Sequence, residues 1–487
     1  MAGPGIQLHP SDNVAIASAP IGPLPAGHKF ALRAIPAGAA VIKAGAVIGV
    51  AAVDIAEGQH VTAAEISPLA VPQSALAHPV AHAARGVAHF DGFLRPDGRV
   101  GTRNTIAVLV VGNCGATVAR QVADFFDEER LTAFPYVDAV VPYVHEIGCG
   151  MEMTGEPMDL LRRTIAGIIR HPNTAAAVVI ALGCERNNLG SFMEQEKLHI
   201  GKRLKTITIQ DIGGTKNAAE AGRQMVMEML PLANQARRQS VPAAHLVLGL
   251  KTGAVDGFCA ASVNPVLAVA VEMLLAQGGT AILSESPDAL AISDDLAARA
   301  TDDGVRAALV ERLGWWRGYH AGRDTDLNGT LNAAHRAAGF VNVAEKSRDI
   351  MGKLPPAPIT AVYRYAEEIR HPGLVFMDTP SYDPVSVTGQ IAGGATLIAF
   401  ATGLGSSFGS LPAPTLKLCS NSAVFQRMAD EIDINCGAIL DGQTDIATMG
   451  ALIFDSLLRH ASGEKTKSEL EGMGENEYVP WPIGVLA

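Results

Sequence analysis

The feature that most constrains the fold is an alternation, from about residue 104 onward, of short apolar runs and segments with helical spacing. Continuous apolar runs that alternate with helices are typical of parallel strands buried on both faces of a sheet. The runs lie at 105–112, 139–144, 175–182, 206–210, 246–250, 281–284, 374–377, 396–401 and 416–419, and helices are predicted near 116–126, 157–170, 216–230, 264–276, 384–392 and 422–431. This pattern predicts two α/β domains with mainly parallel sheets, at residues 91–238 and 239–487.

The N-terminal residues follow a different pattern. Short apolar runs at 14–17, 29–34, 40–42 and 47–53 are separated by Pro-Ala-Gly or Ala-Glu-Gly at 25–27, 36–38 and 56–58. Proline presets φ for a turn and glycine accepts a positive φ, so these triplets are turn signals between short strands. Residues 1–72 are therefore predicted to form a small all-β domain, and 73–90, rich in Ala, Pro and His, a linker.

Charge and cysteine usage restrict the functional class. The net charge of −11 argues against a nucleic-acid partner, which would need a basic face, but leaves a small anionic substrate open. The apolar runs are too short to cross a bilayer, and the N-terminus lacks the pattern of a signal peptide. Six cysteines without a C-x-x-C pair do not indicate a disulfide framework. We expect a cytoplasmic protein that contacts no membrane.

Three cysteines follow three successive predicted strands, at Cys114, Cys149 and Cys184. The ends of parallel strands share one edge of a sheet, which is where ligands bind. Thiolates are soft ligands suited to iron or zinc, and His145 and Glu185 add an imidazole and a carboxylate to the same edge. The alternative is that each cysteine is a small buried apolar residue.

Three other segments carry candidate site residues, each with a plain structural alternative. The turn at 97–104 carries Arg99 and Arg103, which could clamp a carboxylate or lie in solvent. His28 and Lys29 on the turn of the β domain could supply an acid and an anion contact, or form a surface loop. The glycine-rich loop 403–409, which includes Ser406, resembles a phosphate or oxyanion loop but matches no nucleotide-binding fingerprint.

These segments, in their order along the chain, resemble the altronate/galactarate dehydratase family. In the N-terminal part, the resemblance rests on 12–15, 27–32, 41–45 and 48–49, which look like the SAF (β-clip) domain of those enzymes. In the remainder it rests on Phe93 with 97–104, 145–149, 182–185, 261–265, Glu345-Lys346, 408–409 and 433–437.

The sequence also departs from the family pattern in three loops. A Cys-Gly-Gly-Ser-Asp run is replaced by 252–256, which keeps Asp256 but not the cysteine. A Pro-Ser-Pro-Gly-Asn-Lys loop is replaced by a stretch around 328–336, and an Arg of the Gly-rich loop is Leu404 here. Because basic and polar groups are lost, we expect a shorter or less charged acid than altronate or galactarate.

The resemblance implies a lyase that depends on a divalent metal, usually iron, and eliminates water from a sugar acid or related hydroxy acid to give a 2-keto-3-deoxy acid. We hypothesise that Cys114, Cys149 and Cys184 hold Fe²⁺, with Mn²⁺ and an iron–sulfur cluster as alternatives. His145 or Glu185 would be the base or a further ligand, and His28 the acid. Lys29, Arg99, Arg103, Asp256 and Ser406 would bind substrate.

We expect a homo-oligomer, a dimer. Competing hypotheses are β-elimination of sulfite, as in a sulfolactate sulfo-lyase of the wider family, and a non-catalytic metal-binding relative.

Overall fold

A computed structural model describes residues 5–67, 86–321, 331–474 and 476–483. Within these ranges the protein is α/β, with small antiparallel sheets at the N-terminus followed by larger parallel sheets, as predicted. Most of the predicted linker 73–90 lies outside the described residues. Its last two residues belong to a strand that starts at His89.

The N-terminal β module consists of two antiparallel sheets. Glycines at positive φ, such as Gly38 and Gly58 (+81° and +75°), make the predicted turns between strands. The module core contains Val14, Val41 and Ile48, and it also includes Val341 from the C-terminal part of the chain. The strands are β1 (Gly5–Ile6), β2 (Val14–Ala17), β3 (Lys29–Ala31), β4 (Ala40–Lys43), β5 (Ala46–Ala51), β6 (His60–Val61) and β7 (Ile66–Ser67), paired in the orders β1-β2-β3-β6 and β4-β5-β7.

A three-stranded antiparallel sheet joins the beginnings of the two α/β units. It pairs β8 (His89–Leu94) with β9 (Val100–Gly101) and with β14 (Gln239–Pro242). The sequence pattern did not predict these strands, because they are short and mixed in polarity.

The first α/β unit contains a four-stranded parallel sheet in the order β11-β10-β12-β13. Strand β10 is fully buried, which explains its uninterrupted apolar sequence. The elements are β10 (Thr105–Val110), α1 (Ala116–Ala123), α2 (Glu128–Leu131), β11 (Ala139–Tyr143), α3 (Glu156–Arg170), β12 (Thr174–Ala181), α4 (Leu189–Gln195), β13 (Leu204–Thr208) and α5 (Thr215–Ala233).

The second α/β unit contains a seven-stranded parallel sheet in the order β17-β18-β16-β15-β19-β20-β21. Its strands are β15 (Val247–Thr252), β16 (Thr280–Leu283), β17 (Ile359–Tyr363), β18 (Gly373–Met377), β19 (Leu397–Thr402), β20 (Thr415–Cys419) and β21 (Ile434–Asn435). Its helices are α6 (Val263–Ala276), α7 (Ser286–Ala289), α8 (Ser293–Ala298), α9 (Asp303–His320), α10 (Ala333–Ala337), α11 (Val343–Met351), α12 (Asp383–Ala392), α13 (Ser422–Arg427), α14 (Ile446–Ala461) and α15 (Lys467–Leu470).

The two α/β units share one apolar core. Tyr143 and Leu161 of the first unit belong to the same buried cluster as Tyr365 and Val385 of the second, and Trp481 near the C-terminus closes it. Trp481 stacks on Trp316 at a ring-centroid distance of 5.4 Å and an interplanar angle of 4°. The shared core fixes the two sheets relative to each other, and no helix in the described ranges has the length and apolarity needed to cross a membrane.

Candidate active site

The carboxyl edge of the first sheet gathers predicted site residues at its topological switch point. The chain leaves β10 toward β11 and then crosses to β12, so a crevice opens between the ends of β10 and β12. Gly112 lies at this point, and a Cβ there would meet Glu185 Cγ at 2.9 Å and Cys149 Sγ at 3.8 Å. The structure thus brings segments 112–114, 149 and 185 together at one edge of the sheet.

Cys114 and Cys149 form a pair of hydrogen-bonded thiols, which we call the thiol pair. Burial, followed by the neighbouring Cys114, raises the pKa of Cys149. Gly148, at a φ of +106°, lets the segment before Cys149 pack against the end of β10, because a Cβ on it would lie 2.5 Å from the Val111 carbonyl oxygen. Cys184 is exposed, like the other two. Over the residues that the structure describes, no three His, Cys, Asp or Glu side chains are grouped closely enough to hold a metal ion.

His145 and Glu185 are both held by the backbone of the first unit. His145 Nε2 donates to the Val110 carbonyl at 3.0 Å, while its Nδ1 is buried and has no partner among the described residues. Burial lowers the pKa of His145 to about 4, so the imidazole is neutral at physiological pH. The Glu185 carboxylate accepts hydrogen bonds from the Leu182 and Gly183 N–H groups.

A cleft of about 560 Å³ lies beside this edge, between the first unit and the C-terminal segment of the chain. Asn113, Arg120 and His145 line one wall, and Tyr382 and Tyr478 line the other. The cleft therefore combines both units around polar and aromatic groups, which is a common composition for a small-molecule site.

Asp256 lies at the switch point of the second sheet, between β15 and β19. Its buried carboxylate accepts hydrogen bonds from Ser420 Oγ at 2.8 Å and from Asn421 Nδ2 at 2.8 Å, and burial raises its pKa. Gly403 lets its loop pack closely against Asp256, because a Cβ at that position would lie 2.3 Å from the Asp256 nitrogen. Ser406 is three residues farther along the same loop, where its hydroxyl accepts from the Phe408 N–H at 3.1 Å.

Sequence reasoning missed a buried cluster of Lys251, Glu285 and Lys353, which we call the lysine–glutamate cluster. The Glu285 carboxylate binds Lys251 Nζ at 2.5 Å and Lys353 Nζ at 2.6 Å. Glu285 follows β16 with a φ of +71°, which is unusual for a non-glycine residue. A lysine inside the apolar run of β15 and a glutamate directly after β16 were the available signals, but their pairing joins positions far apart in sequence.

The pKa values of the two lysines of this cluster shift in opposite directions. Burial opposes the charge of Lys251, but Asp383 and Glu285 outweigh it and raise the pKa of Lys251. Burial dominates at Lys353 and lowers the pKa of that amine. Asp383 binds Lys251 at 2.9 Å, and its side chain is 33% exposed, so the cluster reaches solvent next to Tyr382 of the cleft.

The β module contacts the second unit through its predicted site residues. Gly27 packs against the Asp256 loop, since a Cβ on Gly257 would overlap the Gly27 carbonyl oxygen. His28 Nε2 lies 2.9 Å from the Ala337 carbonyl oxygen, and its Nδ1 lies 3.1 Å from His60 Nε2. His28 is thus at the second sheet, whereas the thiol pair is at the first.

Three cations predicted to bind substrate have protein partners instead. Lys29 is buried and binds Glu345 at 2.8 Å. Arg103, which precedes β10 at the amino edge of the sheet, forms a partly buried bidentate pair with Glu469. Arg99 lies at that same edge and pairs with Asp97 and Glu368. Because these charges are already compensated and two of them lie at the wrong edge, we leave all three out of the substrate-binding set proposed below.

Comparison with known proteins gives three matches along the chain. The model of the D-galactarate/altronate dehydratase C-terminal domain covers residues 243–486, half of the chain. The model of the D-galactarate dehydratase/altronate hydrolase second domain covers 92–234, and that of the altronate/galactarate dehydratase SAF domain covers 19–68. The chain belongs to the altronate/galactarate dehydratase family. It is an enzyme of the hydro-lyase class of that family.

Relatives align over most of this dehydratase-family chain. Altronate dehydratase of Bacillus subtilis is 27% identical over 91% of this chain and 88% of its own length. The L-threo-forming galactarate dehydratase of Escherichia coli is 29% identical over 94% and 93%. The β subunit of (2R)-sulfolactate sulfo-lyase of Chromohalobacter salexigens is 28% identical over 80% and 96%.

The metal that this family resemblance implies does not fit the arrangement directly. The thiol pair offers two soft donors, but the Glu185 carboxylate beside it is engaged by backbone N–H groups, and no third donor in the described ranges completes the set. We therefore derive no reaction step through a metal ion.

Proposed function

We propose that this chain eliminates water from a small sugar acid, or a related hydroxy acid, to give a 2-keto-3-deoxy acid. The observation that carries the proposal is the continuous match to dehydratase sequences across the β module and both α/β units. The changed loops at 252–256 and 403–409 favour a shorter or less charged acid than the two after which the family is named.

The chemistry needs three things from the protein. A base must take the proton next to the carboxylate, positive or hydrogen-bonding groups must stabilise the enolate, and an acid must protonate the leaving hydroxyl. We assign substrate binding to the carboxyl edge of the second sheet, where Asp256 orients Ser420 and Asn421 and where the loop of Ser406 begins. The lysine–glutamate cluster would stabilise the conformation of this edge.

Metal dependence is a separate part of the proposal. Cys114 and Cys149 would be the thiol ligands for a divalent ion, Fe²⁺ first and Mn²⁺ second, with Cys184 as the third ligand if its loop moves toward them. Metal analysis and an ultraviolet–visible spectrum of anaerobically purified protein would separate a mononuclear ion from an iron–sulfur cluster, since only the cluster absorbs broadly in the visible range.

The test of the proposal is turnover on a broad panel of aldonic and aldaric acids with ferrous iron present. We expect a keto acid from at least one member. Sulfite release from sulfolactate without any keto acid from the panel would favour the alternative elimination. Tight binding of substrate analogues by iron-loaded protein, without turnover, would favour a non-catalytic relative.

A further inference from the structure

His28 and His60 form an imidazole pair whose protonation pattern follows from the geometry. The Ala337 carbonyl oxygen can only accept a hydrogen bond, so His28 Nε2, 2.9 Å away, must carry a hydrogen. In neutral His28 the other nitrogen, Nδ1, is then an acceptor. His60 Nε2, at 3.1 Å from that atom, must therefore be the donor.

In this pattern, Nδ1 of His60 is the one ring nitrogen of the pair that can accept a proton. Both nitrogens of His28 are engaged, so His28 offers neither a proton nor a lone pair in this state. His60 Nδ1 carries no hydrogen when the ring is neutral, and it has no hydrogen-bond partner among the described residues. His60 Nδ1 is not fully buried, in contrast to His145 Nδ1, which is buried without a partner.

The surroundings of His60 favour the neutral, proton-accepting form. Burial and then the neighbouring His28 lower the pKa of His60 below its usual 6.5, and Lys29 acts in the same direction. Glu65, the acidic group that faces His60, opposes the shift without reversing it. At neutral pH the ring is therefore uncharged, and its Nδ1 lone pair has no partner in the described part of the chain.

The pair lies where the β module contacts the second unit. His60 starts β6, which pairs with β3, so that His60 lies opposite Phe30 and diagonal to His28. Gly339 packs against the His28 ring, and a Cβ there would lie 3.0 Å from His28 Cγ. Gly27, adjacent to His28, packs on the loop that carries Asp256. His28 is thus fixed beside the loop that carries Asp256, and His60 is held next to His28 at 3.1 Å.

We propose that His60 is the base that the β module supplies to the reaction, and that His28 is a positioning residue that fixes its tautomer. This inference rests on the proposed function. His60 Nδ1 takes the proton from the carbon next to the carboxylate, and the C–H electron pair becomes the new C=C bond. The C–O bond on the neighbouring carbon breaks, and the imidazolium returns the proton to the departing hydroxyl, which leaves as water.

The activity test uses variants of the full chain: His60→Gln, His28→Ala, His28→Asn and, as a control, His245→Gln at an exposed histidine. His60→Gln should lower kcat by about 100-fold or more with little change in KM. The residual activity of this variant should no longer fall as the pH is lowered, because the group that titrates on the acidic side is gone. His28→Asn keeps an acceptor near the position of Nδ1, so it should retain more activity than His28→Ala. Both His28 variants should retain the acidic limb, and His245→Gln should match the wild type.

A second measurement does not depend on turnover. Nitrogen-15 NMR of histidine-labelled protein, assigned by difference from the variants, should show both His28 and His60 as Nε2–H tautomers, and His60 should titrate below pH 6.5. Full activity and an intact acidic limb in His60→Gln, or an Nδ1–H tautomer of His60, would overturn the inference. Failure of the wild type on every acid, with the tautomers as expected, would instead refute the proposed function.

Discussion

At the scale of single residues, Lys29 and Lys43 of the β module bind Glu345 and Asp349 of α11. Lys43 Nζ lies 2.7 Å from a carboxylate oxygen of each, and all four side chains are buried. Burial alone would raise the pKa of Glu345, but Lys29 and Lys43 lower it to about 2. A buried pair of this kind is costly to break, because the remaining partner keeps an uncompensated charge.

Glu345→Gln should therefore lower the free energy of unfolding by about 3–5 kcal/mol at neutral pH. A carboxylate whose folded pKa is depressed stabilises the fold above its unfolded pKa, here 4.5, and loses that contribution as the pH falls toward 2. Urea denaturation should show the difference from the wild type at its largest above pH 4.5, shrinking below it. Glu368→Gln, which removes an exposed partner of Arg99, is the control and should change stability by less than about 1 kcal/mol.

Iron content tests the thiol pair. Cys114→Ser and Cys149→Ser should each lower the iron bound per chain after anaerobic reconstitution, since a serine hydroxyl is a poor ligand for a soft site. Cys436→Ser replaces a fully buried cysteine of the second unit and should leave iron content unchanged. Equal iron content in all four proteins, measured by elemental analysis, would remove these sulfurs from the proposed site.

At the scale of elements, the contact of the β module with the second unit depends on glycine. A methyl group on Gly257 would overlap the backbone of Gly27. Helix α11 completes the contact, because Glu345 and Asp349 bind the module while Lys346 binds Asp288 of α7. The module and the second sheet are thus joined on two sides of the switch point.

Gly257→Ala should displace the turn that carries His28, and so lower kcat by about 10-fold or more through misplacement of the module. Gly314→Ala, within α9 and with open space around its Cβ, is the matched control and should leave kcat unchanged while slightly raising the melting temperature. Equal kcat values for the two variants would show that the observed module position is not needed for turnover.

Most of the buried parallel strands were predictable from sequence, because each depends on a local apolar pattern, but β17, β21, α9 and α14 were not predicted. Strand β10 and helix α3 lie within two residues of the predicted bounds. The charged clusters were not predictable, because Lys251 with Lys353 and Lys43 with Glu345 pair across long sequence separations. The strand-end pattern predicted that all three thiols would meet, whereas among the described residues Cys149 pairs with Cys114 and no group of three metal donors forms.

At the scale of the whole molecule, the two α/β units and the β module form one catalytic body. The shared core through Tyr143, Tyr365 and Trp481 fixes the carboxyl edges of the two sheets relative to each other. The cleft between Arg120 and Tyr382 and the switch point at Asp256 both depend on this arrangement. The reaction that we propose for this body is the removal of water across two adjacent carbons of a hydroxy acid.

Turnover in deuterium oxide shows whether this elimination takes place. Loss of the α proton and of the neighbouring hydroxyl gives an enol, which takes up one solvent deuteron at the carbon that lost oxygen. Mass spectrometry and proton NMR should thus detect a 2-keto-3-deoxy acid with one deuterium at C3. A product that keeps all its oxygen atoms, or a keto acid without deuterium at C3, would contradict the account.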